Sequence, residues 1–172
     1  MKYILFLFLL LQVSCAKHSI KDYKSETPKL DLQKFFSGDL YALGIVQDRS
    51  GKVIQRFKVD MNGSWKKNVG TLDEQFDYSD GTKSERIWTL TKKENQEFEG
   101  EAADVEGTAY GKVSGNAFFF EYVLNLPVDG TVYEVKFDDW MYLLDNNTLM
   151  ARTYMTKWGF AVGEVTIVMM KR

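Results

Sequence analysis

Apolar and polar residues alternate along most of this chain with the period of two that sends successive side chains to opposite faces of a strand. Val53, Phe57, Val59 and Met61 fall on one parity and Lys52, Arg56, Lys58 and Asp60 on the other, while Tyr133, Val135 and Phe137 alternate with Glu134, Lys136 and Asp138. Such β-branched and aromatic runs predict strands at about 39–48, 53–61, 69–78, 84–92, 96–101, 105–113, 117–126, 131–144, 148–157 and 160–170. Turns are predicted at Ser50-Gly51, Asn62-Gly63, Asp80-Gly81, Ser114-Gly115, Asp129-Gly130 and Asn146-Asn147, where most pairs supply a glycine for a positive backbone angle. After Asp138 the apolar parity switches to Trp140, Tyr142 and Leu144, which predicts a bulge at Asp138-Asp139, since one inserted residue exchanges the faces.

About ten evenly spaced strands with short connections predict an all-β fold. The expected architecture is an antiparallel up-and-down barrel of the lipocalin-like, calycin type, because closure removes exposed edges; an open sandwich is the alternative. A membrane-spanning barrel does not fit, since apolar bands are not consistent from strand to strand. Ahead of the strands, Leu30 to Phe36 predicts a short helical segment ending at Gly38.

The first residues follow a different pattern. Met1-Lys2, nine apolar residues from Tyr3 to Leu11 and then Gln12-Val13-Ser14-Cys15 have the layout of a secretory signal, too short for a bilayer core that needs about 20 residues. Cys15, the only cysteine, stands where a lipoprotein signal places its acceptor thiol, although Gln12 replaces the usual leucine. The expected organisation is a lipoprotein signal peptide over 1–14, a lipidated Cys15 with a polar tether to residue 29, and one barrel domain over 30–172. Acyl chains at about 0.8 kcal/mol per buried methylene would make the membrane the first partner. Ala16 after the cysteine fits sorting to the outer membrane, on its periplasmic face.

Composition narrows the chemistry. Without Lys2 the chain carries 21 basic and 24 acidic side chains, which offers nucleic acid no attraction. With Cys15 lipidated no thiol remains for catalysis, and the single histidine, His18, lies in the tether, so neither a Ser-His pair nor a histidine metal site is expected. The acidic turns near Asp73-Glu74 and Asp77 to Gly81 lack the spacing of a calcium loop, and no glycine loop precedes a helix; neither metal nor cofactor is expected.

Two groups of residues are candidates for a ligand site. Gly107, Ala109 and Gly111 leave one face of a strand almost without side chains, which serves either close packing or a guest, and Phe120 and Tyr122 follow on the next strand. The second group is Trp140 and Tyr142 with Arg152 and Tyr154 one strand later, where Arg152 either pairs with Asp138 or Asp139 or orients a ligand carboxylate. Arg86 beside Trp88 repeats the theme of a cation among aromatics.

Gln47-Asp48-Arg49-Ser50-Gly51, the Asp80-Gly81 turn leading to Arg86-Ile87-Trp88, Gly107 to Gly111 with Gly115-Asn116-Ala117, Leu126-Pro127-Val128-Asp129-Gly130 and Asp138-Asp139-Trp140-Met141-Tyr142 resemble the small bacterial lipoprotein family catalogued as domain of unknown function 3833. The resemblance covers nearly the whole mature chain. It implies a single lipocalin-like unit in the cell envelope with lipid-related roles, and it brings no catalytic residue. The leading expectation is therefore a non-enzymatic binder or carrier of a fatty acid or other lipid. Two alternatives stand beside it: an isomerase- or cyclase-type enzyme acting on a lipid inside the barrel, with Arg152, Tyr154 or Glu121 orienting it, and a packed interaction module of the envelope.

Overall fold

The computed structural model describes residues 18–128 and 130–172, so the predicted signal peptide and Cys15 lie outside the described residues. Ten strands close into one antiparallel barrel among them: β1 (Gly38–Asp48), β2 (Val53–Lys66), β3 (Val69–Tyr78), β4 (Lys83–Lys92), β5 (Glu97–Glu101), β6 (Val105–Ser114), β7 (Ala117–Val128), β8 (Thr131–Leu143), β9 (Thr148–Lys157) and β10 (Phe160–Lys171). Each strand pairs with the next, and β10 returns to β1 through a ladder from Leu40↔Lys171 to Asp48↔Gly163. This is the expected up-and-down lipocalin-like barrel. No edge strand is left unpaired by the closure.

A short helix, α1 (Leu32–Phe35), plugs one end. It occupies the middle of the predicted segment, with Asp31 accepting from Lys34 N as its N-cap. Leu32, Phe35 and Phe36 are buried in the barrel mouth. The carbonyls at the helix end are taken up by barrel side chains: Lys171 Nζ donates to the carbonyls of Lys34, Phe35 and Ser37 at 3.1, 3.0 and 2.8 Å, and Trp65 Nε1 donates to that of Phe36 at 2.9 Å. A cation at a helix C-terminus is favourable on both counts, charge and hydrogen bonding.

Three sequence expectations are corrected here. Asn62-Gly63 is not a turn: β2 runs through it to Lys66, and the chain reverses at Lys67, whose φ is 59°. Gly63 is needed for another reason, because a Cβ there would collide with the Phe36 carbonyl of the plug. Nor is there a bulge at Asp138-Asp139, since β8 keeps unbroken register with β7 (Glu121↔Asp138, Phe120↔Asp139) and with β9 (Asp138↔Tyr154, Asp139↔Thr153). The parity switch arises because Trp140 faces outward and is covered from outside. His18 lies 4.2 Å and Tyr23 6.1 Å from it, centroid to centroid, with Phe119 at 4.7 Å, and the indole is only 3% exposed.

The third correction follows from the second. Residues 18–29, expected as part of a polar tether, touch the outer wall through His18 and Tyr23. A 3-10 turn over Ile20–Tyr23, capped by Ser19 and Asp22, sets Tyr23 against Tyr142 at 5.3 Å. Gly115, at φ +60°, passes under the Tyr23 carbonyl where a Cβ would collide, and Leu30 N donates to its carbonyl at 2.8 Å.

Candidate functional site

The inward parity of eight strands encloses a cavity of about 300 Å³, running from Phe36 of the plug to Val46, Tyr78 and Met155 toward the opposite end. Its walls are mostly aliphatic and aromatic, and its size is at the lower bound of small-molecule sites, about 300 Å³. β5 and β6 contribute no described lining residue. On that side Phe118 and Phe120 lean across the wall and fill the space. A Cβ at Gly111 would approach the Phe118 ring at 2.5 Å, and one at Gly100 the Phe120 ring at 2.6 Å.

The candidates from sequence separate accordingly. Arg86, Trp88, Phe120 and Tyr122 line the cavity together, with the Trp88 ring 5.2 Å from both Phe120 and Tyr122. Gly107, Ala109 and Gly111 do not line it. Gly107 sits at φ +67° in the register shift between Glu106 and Tyr110, Ala109 is fully buried, and Gly111 seats the phenyl rings, so close packing accounts for the small-residue stripe. Trp140, Tyr142, Arg152 and Tyr154 are on the outer face. Arg152 is bidentate to Glu164, at 2.8 and 2.7 Å, and lies over the Tyr154 ring at 5.0 Å; it pairs with neither Asp138 nor Asp139, and a role in orienting a ligand inside the barrel has no place there. Cys15 lies outside the described residues.

Three lining side chains bring polar chemistry that the sequence reading did not place in the lumen: Glu74 on β3, Asp139 on β8 and Thr153 on β9. Parity puts them there. Glu74 shares its face with Leu72, Phe76 and Tyr78, and Asp139 shares its face with Val135, Phe137 and Met141. A carboxylate on the apolar parity of a strand was the readable signal.

The cluster is arranged around Arg86. Its Nε donates to both carboxylate oxygens of Asp104, at 3.0 and 2.9 Å, and its Nη2 donates to Oδ2 at 2.7 Å. Asp104 comes from the β5–β6 connection, where β5 has already ended and β4 continues alone beside β3. Burial works against the Arg86 charge, but the Asp104 hydrogen bonds, with Tyr122 and Glu74 nearby, outweigh it and hold the guanidinium above its ordinary value. The guanidinium also lies 5.8 Å from the Phe76 ring and 5.9 Å from Trp88.

The acids are held differently. Glu74 opens onto the cavity and is shut off from bulk water by the wall; this burial pushes its carboxyl up to about 7, with Arg86 opposing and Asp139, Asp104 and Asp73 adding to the rise. It makes no side-chain hydrogen bond among the described residues. Asp139 is 7% exposed. Burial raises it to about 6 against the pull of the Thr153 and Tyr122 hydroxyls and of Arg86. Tyr122 donates its hydroxyl to Asp139 Oδ2 at 3.0 Å, whereas Oδ1, buried, has no hydrogen-bond partner among the described residues; the Thr153 hydroxyl, across the ladder, is close enough to favour the carboxylate. Burial and the adjacent Asp139 hold Tyr122 neutral, well above the usual phenol range. No group of three or more potential metal ligands stands together among the described residues.

The sequence matches the family described as Protein of unknown function (DUF3833) over residues 9–171. No curated protein matches it. Among solved structures the chain is similar to the S-type phycobiliprotein lyase CPES from Guillardia theta, at 9% identity and a TM-score of 0.60, with 83% of this chain and 93% of that one covered. At that identity the likeness is one of fold.

Proposed function

We propose that this chain, which belongs to the DUF3833 family, binds a small apolar ligand of the lipid class in the lumen of its barrel, as a lipid-anchored protein on the periplasmic face of the outer membrane. One observation carries the binding: an apolar cavity of about 300 Å³ that holds a few convergent polar groups, the composition of a small-molecule site. Burying a ligand's hydrocarbon there gains about 25 cal/mol per Å² of apolar surface, while the polar groups fix its orientation. The cavity weighs against the packed interaction module. The fold shared with a phycobiliprotein lyase is compatible with ligand binding and adds nothing about the ligand's identity.

The decisive experiment is mass spectrometry of small molecules extracted from the protein purified out of its native membrane. A stoichiometric lipid is expected, and protein that is consistently empty and takes up no apolar probe contradicts the reading. The anchor is tested separately by metabolic labelling with a fatty acid, where Cys15→Ala should abolish incorporation. A second reading has its own support, since Glu74 near 7 and Asp139 near 6 are in the range of general acid–base groups. An isomerase acting on the bound lipid would convert it during incubation, and Glu74→Gln would stop the conversion.

A further inference from the structure

The polar end of the cavity has a definite sign. Arg86 is the one cation among the described residues that line it, and its guanidinium is committed to Asp104 by three hydrogen bonds. Paired one to one, Arg86 and Asp104 cancel. What remains facing the cavity is Glu74, without a hydrogen bond, and Asp139, with Oδ1 buried and unpartnered. The two carboxyl groups are close enough to act on each other. Of the hydroxyls beside them, Tyr122 stays neutral and donates to Asp139 Oδ2, and Thr153 faces Asp139 across the ladder.

Resting on the reading of the lumen as a ligand site, we propose that its ligand is an apolar molecule ending in a hydrogen-bond-donating nitrogen, an amine in its ammonium form, seated between Glu74 and Asp139. An ammonium offers three donors and a positive charge to a site with two acidic acceptors and, among the described lining residues, no cation that is not already paired. It would satisfy Asp139 Oδ1, give Glu74 a partner and return both acids to the ionised state. A carboxylate head meets the opposite conditions: it would face two acids, with the one cation among the described lining residues already paired. The cavity therefore discriminates between head groups by leaving one kind of buried group unpaired. A fatty acid, expected from the sequence, is the wrong head group for this lumen.

The test is calorimetric titration of the full mature chain at neutral pH with decylamine, decanol and decanoic acid, which share a chain and differ in the head. Decylamine should bind most tightly, exceeding decanoic acid by about tenfold or more, and Glu74→Gln and Asp139→Asn should each cut its affinity by a similar factor, as expected for removing one partner of a buried charged contact. Decanol affinity should hardly change in either variant. The inference is overturned if decanoic acid binds as well as decylamine, or if the preference for the amine survives both substitutions. Binding of decanol and decanoic acid without decylamine removes the head-group assignment alone. Failure of all three to bind removes the ligand lumen with it.

Should either variant fail to fold, the wild type supplies an independent measurement. Decylamine affinity should fall as pH drops from about 7 through about 6, where first Glu74 and then Asp139 take up protons, while decanol affinity stays level. Arg86, Asp104, Asp73, Asp138, Tyr78 and Tyr122 also surround the pair and enter the midpoint; the decanol series carries their common contribution. A pH-independent amine affinity contradicts the proposal.

Discussion

Arg86 stands directly opposite Glu74 across the β3–β4 ladder, yet its guanidinium turns to Asp104, 2.7 Å away, and leaves Glu74 without a hydrogen bond. Cross-strand pairs of opposite charge ordinarily neutralise one another. Here the cation is drawn out of the pair by an acid from a loop, and an acid stays behind in the lumen. The barrel thus keeps, in its interior, a carboxyl group that is poorly solvated and incompletely paired.

Such a group makes stability depend on pH in a defined direction. The folded value for Glu74, about 7, lies above the ordinary 4.5, so between these values the folded state holds more protons than the unfolded state. Stability contributed by this residue is therefore lost as pH rises through the window, and the deficit is complete above it. Asp139 acts in the same sense between 3.8 and about 6. Glu74→Gln should unfold at higher urea than wild type at about pH 8, by on the order of 1–3 kcal/mol, and at nearly the same urea at about pH 4.5. A stabilisation independent of pH would show that Glu74 is well solvated in the folded protein.

The Arg86–Asp104 pair predicts an asymmetry. Arg86 is the more buried partner, with its side chain 19% exposed against 38% for Asp104. Asp104→Ala takes three hydrogen bonds from a mostly buried guanidinium and leaves it only Glu74, opposite it on β3, and should cost about 1–3 kcal/mol, the range for lost hydrogen bonds to a charged group. Arg86→Met leaves an aspartate that can reach water and should cost clearly less. Equal losses in thermal or urea unfolding would contradict this ordering.

All ten strands were readable because alternation and turn-forming pairs recur along the chain, and strand pairing needed only sequential neighbours. The interior polar groups were equally written in parity, and Glu74 among Leu72, Phe76 and Tyr78 is the clearest case. What concealed Asp139 was Trp140 and Tyr142, which took the apolar parity onto the outer face under His18 and Tyr23. No periodicity rule can separate a residue buried by the barrel from one buried by a segment docked outside it. The choice of Asp104 by Arg86 was also beyond reading, since it depends on where β5 stops. Gly63 misled for a related reason, its small size serving a contact with the plug rather than a turn.

The small-residue stripe now predicts a packing defect rather than a blocked lumen. Ala109 is 0% exposed and lies outside the cavity lining, and Gly111 meets Phe118 and Phe120. Ala109→Phe should lower stability by about 1–3 kcal/mol through overpacking. Decanol affinity, measured where the variant remains folded, should change little. Lost binding in a variant of wild-type stability would move the cavity to the β6 side.

Trp140 links the docked segment to a spectroscopic readout. Its ring is sealed by His18 and Tyr23, and its Nε1 is buried without a hydrogen-bond partner among the described residues. Tyr23→Ala opens this cover. Two consequences then oppose each other in stability: ring contacts worth about 0.5–1.5 kcal/mol are lost, while water gains access to an indole N–H whose unsatisfied burial costs a comparable about 1–3 kcal/mol. The net destabilisation should therefore be small, within about 1 kcal/mol of wild type. Solvent access has no such compensation, and acrylamide quenching of Trp140 should rise sharply. Trp158 is 84% exposed and would mask the change, so the measurement belongs in a Trp158→Phe background, where buried Trp88 and partly buried Trp65 give a background unaffected by Tyr23. Quenching that stays at the background level after Tyr23→Ala would show that the segment from His18 to Tyr23 does not cover the barrel wall in solution.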